Sequence, residues 1–256
     1  MISDYIKYLL KAKNEHSLHS PFLFEFYTKV LKDKTIYPAY NSIETLRKQL
    51  LKDQRKIKIT DFGAGSKLNN ENTRKIKDIA RRSQKRPKLA KLFFRIIQFN
   101  TYKNIIDLGT SLGLTTSYLA INNIDSKVIT FEGCPETAKI AQENFEKLSL
   151  KNIKIIVGNI DETLPKELEN TKTIDFAFFD ANHRFEPTMS YFNQCLTKIN
   201  DNSCFIFDDI YWSNEMKQAW KEIKNHSSVS ISIDLFWVGI VFFRKKQPKQ
   251  EFVLKF

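Results

Sequence analysis

Ile105-Ile106-Asp107-Leu108-Gly109-Thr110-Ser111-Leu112-Gly113-Leu114-Thr115-Thr116-Ser117-Tyr118-Leu119-Ala120 decides how the rest of the chain is read. An apolar run ends in an acid, two glycines follow with small polar residues between them, and Leu114, Tyr118 and Leu119 then share one helical face. The pattern predicts a strand, a tight turn and a helix. Glycine at 109 and 113 permits a sharp turn and lets a ligand approach the main chain where no Cβ stands in the way. The N–H groups that open the helix, with Thr110, Ser111 and Thr115, are then expected to face a polar ligand. A plainer reading, a turn whose glycines serve geometry alone, stays open on these residues.

Outward from the turn, Lys127-Val128-Ile129-Thr130-Phe131-Glu132-Gly133 reads as a second strand closing on an acid, with Glu132 25 residues after Asp107. An acid at the tip of the second strand is placed to accept both hydroxyls of a ribose, so a nucleoside-bearing ligand is expected. The dinucleotide fingerprint requires G-x-G-x-x-G, whereas this turn runs Gly-Thr-Ser-Leu-Gly. That spacing disfavours NAD.

The run from Asp107 to Gly113, followed by Ile129 to Gly133, resembles motif I and the acidic second-strand motif of class I S-adenosylmethionine-dependent methyltransferases. It is most similar to the small-molecule O-methyltransferase branch that includes catechol O-methyltransferase, over roughly residues 100–245. The resemblance implies a cofactor, S-adenosylmethionine, with the methionine part on the Gly109–Gly113 turn, the ribose on Glu132 and the adenine on Val157-Gly158-Asn159-Ile160-Asp161. Asp161 would accept from the adenine amino group; its structural alternative is a helix N-cap. In the catechol-type enzymes an acid after the fourth strand and an acid-amide pair after the fifth hold magnesium. Asp180 and the pair Asp208-Asp209 stand at those places here, an all-oxygen set suited to Mg²⁺ or another divalent cation. The competing reading gives Asp180 to the cofactor and Asp209 to the cap of the next helix, with no metal. His183 follows Asp180 where that branch has a lysine thought to act as base. The implied catalytic pair is His183 and Asp180, with a mere positioning role for His183 as the alternative. Trp212 and Phe185 are candidates for an apolar acceptor wall, or for core.

The expected fold class is α/β: a Rossmann-like, mostly parallel seven-stranded sheet with an antiparallel C-terminal strand, plus an N-terminal helical extension. Near-continuous apolar strands at 127–132, 152–158, 173–180 and 203–209 suggest parallel strands buried on both faces. Two more, 229–236 and 238–244, are joined too tightly to be anything but antiparallel. Residues 1–100 form the expected basic, mainly helical extension or lid, and 101–256 the expected methyltransferase domain. Helices are predicted at 3–13, from Pro21, at 41–54 and from 72 to 100 with a break near Pro87. His16 and His19 are loop residues that either reach a site or satisfy the loop. Asp61-Phe-Gly-Ala-Gly-Ser66 competes as a second glycine motif, but the residues about 20 further on are Arg81-Arg82-Ser83-Gln84-Lys85-Arg86, with no acid for a ribose.

The net charge of +12 is carried by one part of the chain: residues 1–100 hold 23 Lys/Arg against 9 Asp/Glu, and residues 101–256 hold 18 against 20. Such a basic run is ordinarily a solvated face, though it also suits steering of an acidic substrate or contact with RNA. Three widely spaced cysteines, Cys134, Cys195 and Cys204, suggest free thiols. With no spanning apolar run and no signal peptide read at the N-terminus, the expectation is a cytoplasmic protein with no membrane partner. The function expected is methylation of an oxygen on a small-molecule acceptor, metal-assisted or not. RNA methylation is the less favoured alternative, followed by a catalytically inactive nucleoside-binding module. A homodimer is an open assembly state.

Overall fold

The computed structural model describes residues 2–14, 18, 20–60, 73–245 and 247–256. His16, His19 and the Asp61–Ser66 motif lie outside the described residues. In chain order the elements are α1 (Ile2–Lys11), α2 (Pro21–Phe26, continued by a π-helical turn over Tyr27–Leu31), α3 (Ala39–Leu50), β1 (Lys56–Lys58), β2 (Thr73–Lys75), α4 (Ile76–Arg82) and α5 (Pro87–Asn100). There follow β3 (Asn104–Leu108), α6 (Leu114–Ala120), β4 (Lys127–Glu132), α7 (Pro135–Lys147), β5 (Ile153–Val157) and α8 (Ile160–Glu169). The chain ends with β6 (Ile174–Phe179), α9 (Phe185–Leu196), β7 (Ile199–Asp208), α10 (Asn214–Asn225), β8 (Ile231–Asp234), β9 (Val238–Phe242) and β10 (Gln250–Val253). Packing makes two compact units, Thr35–Glu167, and Met1–Lys34 together with Leu168–Phe256. The boundary expected at 100/101 falls inside the first of these.

In the unit Thr35–Glu167, β3, β4 and β5 lie parallel, with Leu108 opposite Phe131 and Glu132 opposite Val157. This register brings the ends of all three strands, and the loops that follow them, to one edge. β3 is buried beyond its first residue and β4 between its end residues, where α6 and α7 pack: α6 is buried throughout, and Phe145 of α7 is almost fully enclosed. A second layer places Tyr40, Ile43, Leu46 and Leu50 of α3 against Phe94 of α5 and Tyr118 of α6. Tyr118 keeps its hydroxyl satisfied there by donating to Glu44 at 2.6 Å. Helix was predicted from residue 72, but Thr73–Lys75 pair antiparallel with Lys56–Lys58. Hairpin pairing with a distant segment overrides the local helical pattern.

In the other unit, β6 and β7 run parallel with Phe179 opposite Phe207, and β9 runs antiparallel to both β7 and β8. The tight pair at 229–244 is thus antiparallel, as its short connection requires. β10 adds a strand beyond the seven expected, parallel to β8. Gly239 in β9 lets α10 pack close, since a Cβ there would meet the Trp220 ring at 2.5 Å. Phe179, Phe192, Phe205 and Phe207 form a ring cluster beneath. The architecture is Rossmann-like α/β, with parallel strands alternating with helices and one reversed strand near the C-terminus.

Candidate cofactor turn and acidic cluster

The Gly109–Gly113 turn is held from inside the protein. The N–H groups of Gly109 and Thr110 both donate to the carbonyl of Phe131, at 3.1 and 3.0 Å, and that of Gly113 donates to Thr110 at 2.9 Å. Ser111, at φ +49°, donates its N–H to Glu132 Oε2 at 2.8 Å, while Oε1 of the same carboxylate accepts from the N–H of Cys134 at 2.9 Å. Glu132 therefore ties the turn after β3 to the end of β4. Each of its oxygens accepts one of these two amides. Gly133 follows as a half-buried link to the start of α7.

Asp107 and Thr110 are placed differently from a ligand-facing pair. Asp107 is wholly buried, and its Oδ2 accepts from Thr116 at 2.6 Å and from Thr130 at 2.8 Å. Thr130 has given its only proton to Asp107, so the 2.6 Å contact between the Thr110 and Thr130 hydroxyls has Thr110 as donor. Asp107 Oδ1 has no hydrogen-bond partner among the described residues. Burial pushes this carboxyl up to about 6, against the lowering pull of the two threonine hydroxyls. Thr115 is buried as well. Of the turn's polar residues, half-buried Ser111 keeps its hydroxyl near the surface, where Gln84 donates to it at 2.8 Å.

Gly113 has a reason beyond access to the main chain. At φ +78° a Cβ would sit 2.6 Å from the Phe145 ring, so the glycine is needed for helix packing. After β5, Gly158 at φ +138° donates its N–H to the carbonyl of Glu132 at 3.0 Å. Asn159, rather than Asp161, caps α8: its Oδ1 accepts from the N–H of Asp161 at 3.1 Å, and its carbonyl accepts from Thr163. Ile160 is half-buried in the first turn, and Asp161 is exposed there, where the helix dipole favours an acid.

The second group lies in the unit that contains β6 and β7. One donor atom from each of Asp180, His183 and Asp208 lies within 4.8 Å of the other two. His183 Nε2 stands 3.5 Å from Asp180 Oδ1. Asp208 closes β7 and is almost fully buried, while Asp180 and His183 are half-buried. The loop after β6 is held in an unusual backbone, with Asn182 at φ +66° and His183 at φ +42°. Asp209 stands apart from this set. At φ +53° it donates its N–H to the Trp237 carbonyl at 2.9 Å, so the loop after β7 is braced by the β8–β9 turn. It is Ser213 that caps α10, accepting from the N–H of Met216 at 3.1 Å. The arrangement offers two carboxylates and one imidazole to a divalent cation, in place of the all-oxygen trio of the sequence reading. Phe185 opens α9 half-buried, and Trp212 is exposed.

Thr116, Thr130 and Gln84 were not singled out from sequence. Thr130 carried a signal, a polar residue facing inward from an otherwise apolar strand. Gln84 carried none, because its partner is 27 positions away.

Residues 106–210 match the family Methyltransf_24, described as a methyltransferase domain. The chain is 27% identical over 149 residues to O-methyltransferase imqG of Aspergillus flavus, covering 56% of this chain and 59% of that protein. It is 28% identical over 127 residues to a catechol O-methyltransferase of Niastella koreensis, covering 48% and 57% respectively. The chain thus spans less than two thirds of the length of these relatives. Its fold is shared with the SAH-bound methyltransferase PaMTH1 of Podospora anserina, at TM-score 0.61 and 13% identity over 89% of this chain and 97% of that one.

Proposed function

We propose that this chain, which resembles class I S-adenosylmethionine-dependent O-methyltransferases in motif and carries their fold, methylates a hydroxyl of a small-molecule acceptor. The observation that carries the reading is Glu132: a carboxylate at the end of β4, tied to Ser111 of the glycine turn, at the strand tip where an acid accepts ribose hydroxyls. Asn159, Ile160 and Asp161, at the start of α8, supply the adenine end. When bound, S-adenosylmethionine supplies a methyl group that passes to the acceptor oxygen as the carbon–sulfur bond breaks. The protein's part is to fix the reactants in line and to manage one proton.

Asp180 and His183 suit the proton step. The carboxylate faces the imidazole at 3.5 Å, which orients the ring and stabilises its charged form once it has taken the acceptor's proton. The same side chains, with Asp208, fit a divalent cation that accepts nitrogen as well as oxygen donors. Such a cation would lower the pKa of a hydroxyl bound beside it. Either route yields a more nucleophilic oxygen. The partner is a small acceptor, and a reducing, cytoplasmic setting suits the three free cysteines. Calorimetric titration with S-adenosylhomocysteine tests the reading: micromolar affinity that falls about ten- to hundredfold in Glu132→Ala supports it, and no heat of binding in the wild type removes it.

A further inference from the structure

Helix α1 is mounted the wrong way round for a helix that only closes a core. Such a helix normally turns its apolar stripe inward. Here the side against the protein carries Asp4, bridged to Lys217 at 3.5 Å, and Tyr8, whose hydroxyl donates to the Leu254 carbonyl at 2.6 Å. The side facing solvent carries Ile2 (82% exposed), Tyr5 (42%), Ile6 (53%), Leu9 (46%) and Leu10 (82%). At 100° per residue these five occupy an arc of about 140°. They are five of the eleven large apolar side chains exposed among the described residues. Tyr5 and Trp237, the latter 42% exposed, both pack against the buried Phe236 ring, at centroid distances of 4.8 and 5.0 Å.

We infer that α1 is an interfacial anchor, seating its apolar side on an anionic lipid surface. Charge identifies the occupant. Lys7 and Lys11 are exposed on α1 and Lys13 follows it, while its only acid, Asp4, is already engaged by Lys217. Lys7 borders the apolar side, about 60° beyond Leu10 at 100° per residue, where an anionic headgroup complements it. An apolar stripe beside lysines, with aromatic rings at its margin, is the pattern of helices that lie in a bilayer interface. Among the described residues no helix is long and apolar enough to cross a membrane, so the contact is with the surface.

The test is co-sedimentation of the full chain with vesicles of phosphatidylcholine, with and without phosphatidylserine. Binding is expected only with phosphatidylserine, falling as salt rises. Leu10→Asp, and separately Lys7→Glu with Lys11→Glu, should each weaken it by at least about tenfold. All three side chains point to solvent, so circular dichroism and melting should match the wild type. The inference is overturned by absence of vesicle binding, by equal binding to both vesicle types, by binding that both variants leave intact, or by a wild-type dimer that Leu10→Asp disperses.

Discussion

Asp107 combines complete burial, two hydroxyl donors on one oxygen and, among the described residues, none on the other. Its folded-state value near 6 lies above the ordinary 3.8, so the folded protein holds this proton more tightly than the unfolded chain does. The resulting stability is fully present below the unfolded value and is lost as pH rises through about 6. Between those limits the loss is on the order of 3 kcal/mol. Urea titrations across that range should show the decline in the wild type and a flatter profile in Asp107→Asn. Gly113→Ala should lower stability by about 1–3 kcal/mol, because the new methyl meets Phe145 and the backbone is left-handed. Thermal melting reads that directly. Glu132→Ala should weaken S-adenosylmethionine by about 1.5–3 kcal/mol in calorimetry, with Glu132→Gln losing less because its carbonyl still accepts one amide. At this scale the sequence was legible for residue type but not for direction. Asp107, Gly113 and Glu132 stood out as singular residues, yet whether a carboxyl faces a ligand or its own strand depends on register with β4, which no local pattern encodes.

Loops after strand ends carry the chemistry, and their backbones show it. Of the seven described non-glycine residues with positive φ, four are Ser111, Asn182, His183 and Asp209. Such conformations cost energy and persist where surrounding structure holds them, as the Trp237 carbonyl holds Asp209. The acidic cluster yields a prediction with two separable outcomes. If His183 is the base, His183→Ala should lower turnover by about 10²–10⁴ with little change in cofactor affinity, and a chelator should change nothing. If the three donors hold a cation, chelation and Asp208→Ala should each remove most turnover, restored in the chelated wild type by added divalent metal. Rates on a responsive acceptor decide between them. The strands from 104 to 242 were legible because continuous apolar runs of strand length recur there. β2 and β10 were not. Each is three or four residues of polar or mixed sequence, and each owes its conformation to a partner strand 15 to 19 positions away rather than to its own local pattern.

Over the whole molecule, positive charge is gathered in residues 1–100, yet the sequence shows no recognisable RNA-binding module. Filter binding near physiological salt should find no submicromolar complex with RNA, and any weak binding should vanish steeply with added salt. The fold class was legible at this scale. The unit holding the acidic cluster is assembled from the first 34 residues and the last 89, a long-range pairing without a local signature. Tyr8 and Leu254, bonded at 2.6 Å, are 246 positions apart. During synthesis the first helix therefore emerges long before the strand that seats it. The continuous stretch 35–167 can close while α1 still waits, its tyrosines and leucines open to chaperones or to a nearby bilayer. A chain stopped at residue 249 should mimic that stage, with rapid amide exchange in α1 and full protection retained in β3 and β4.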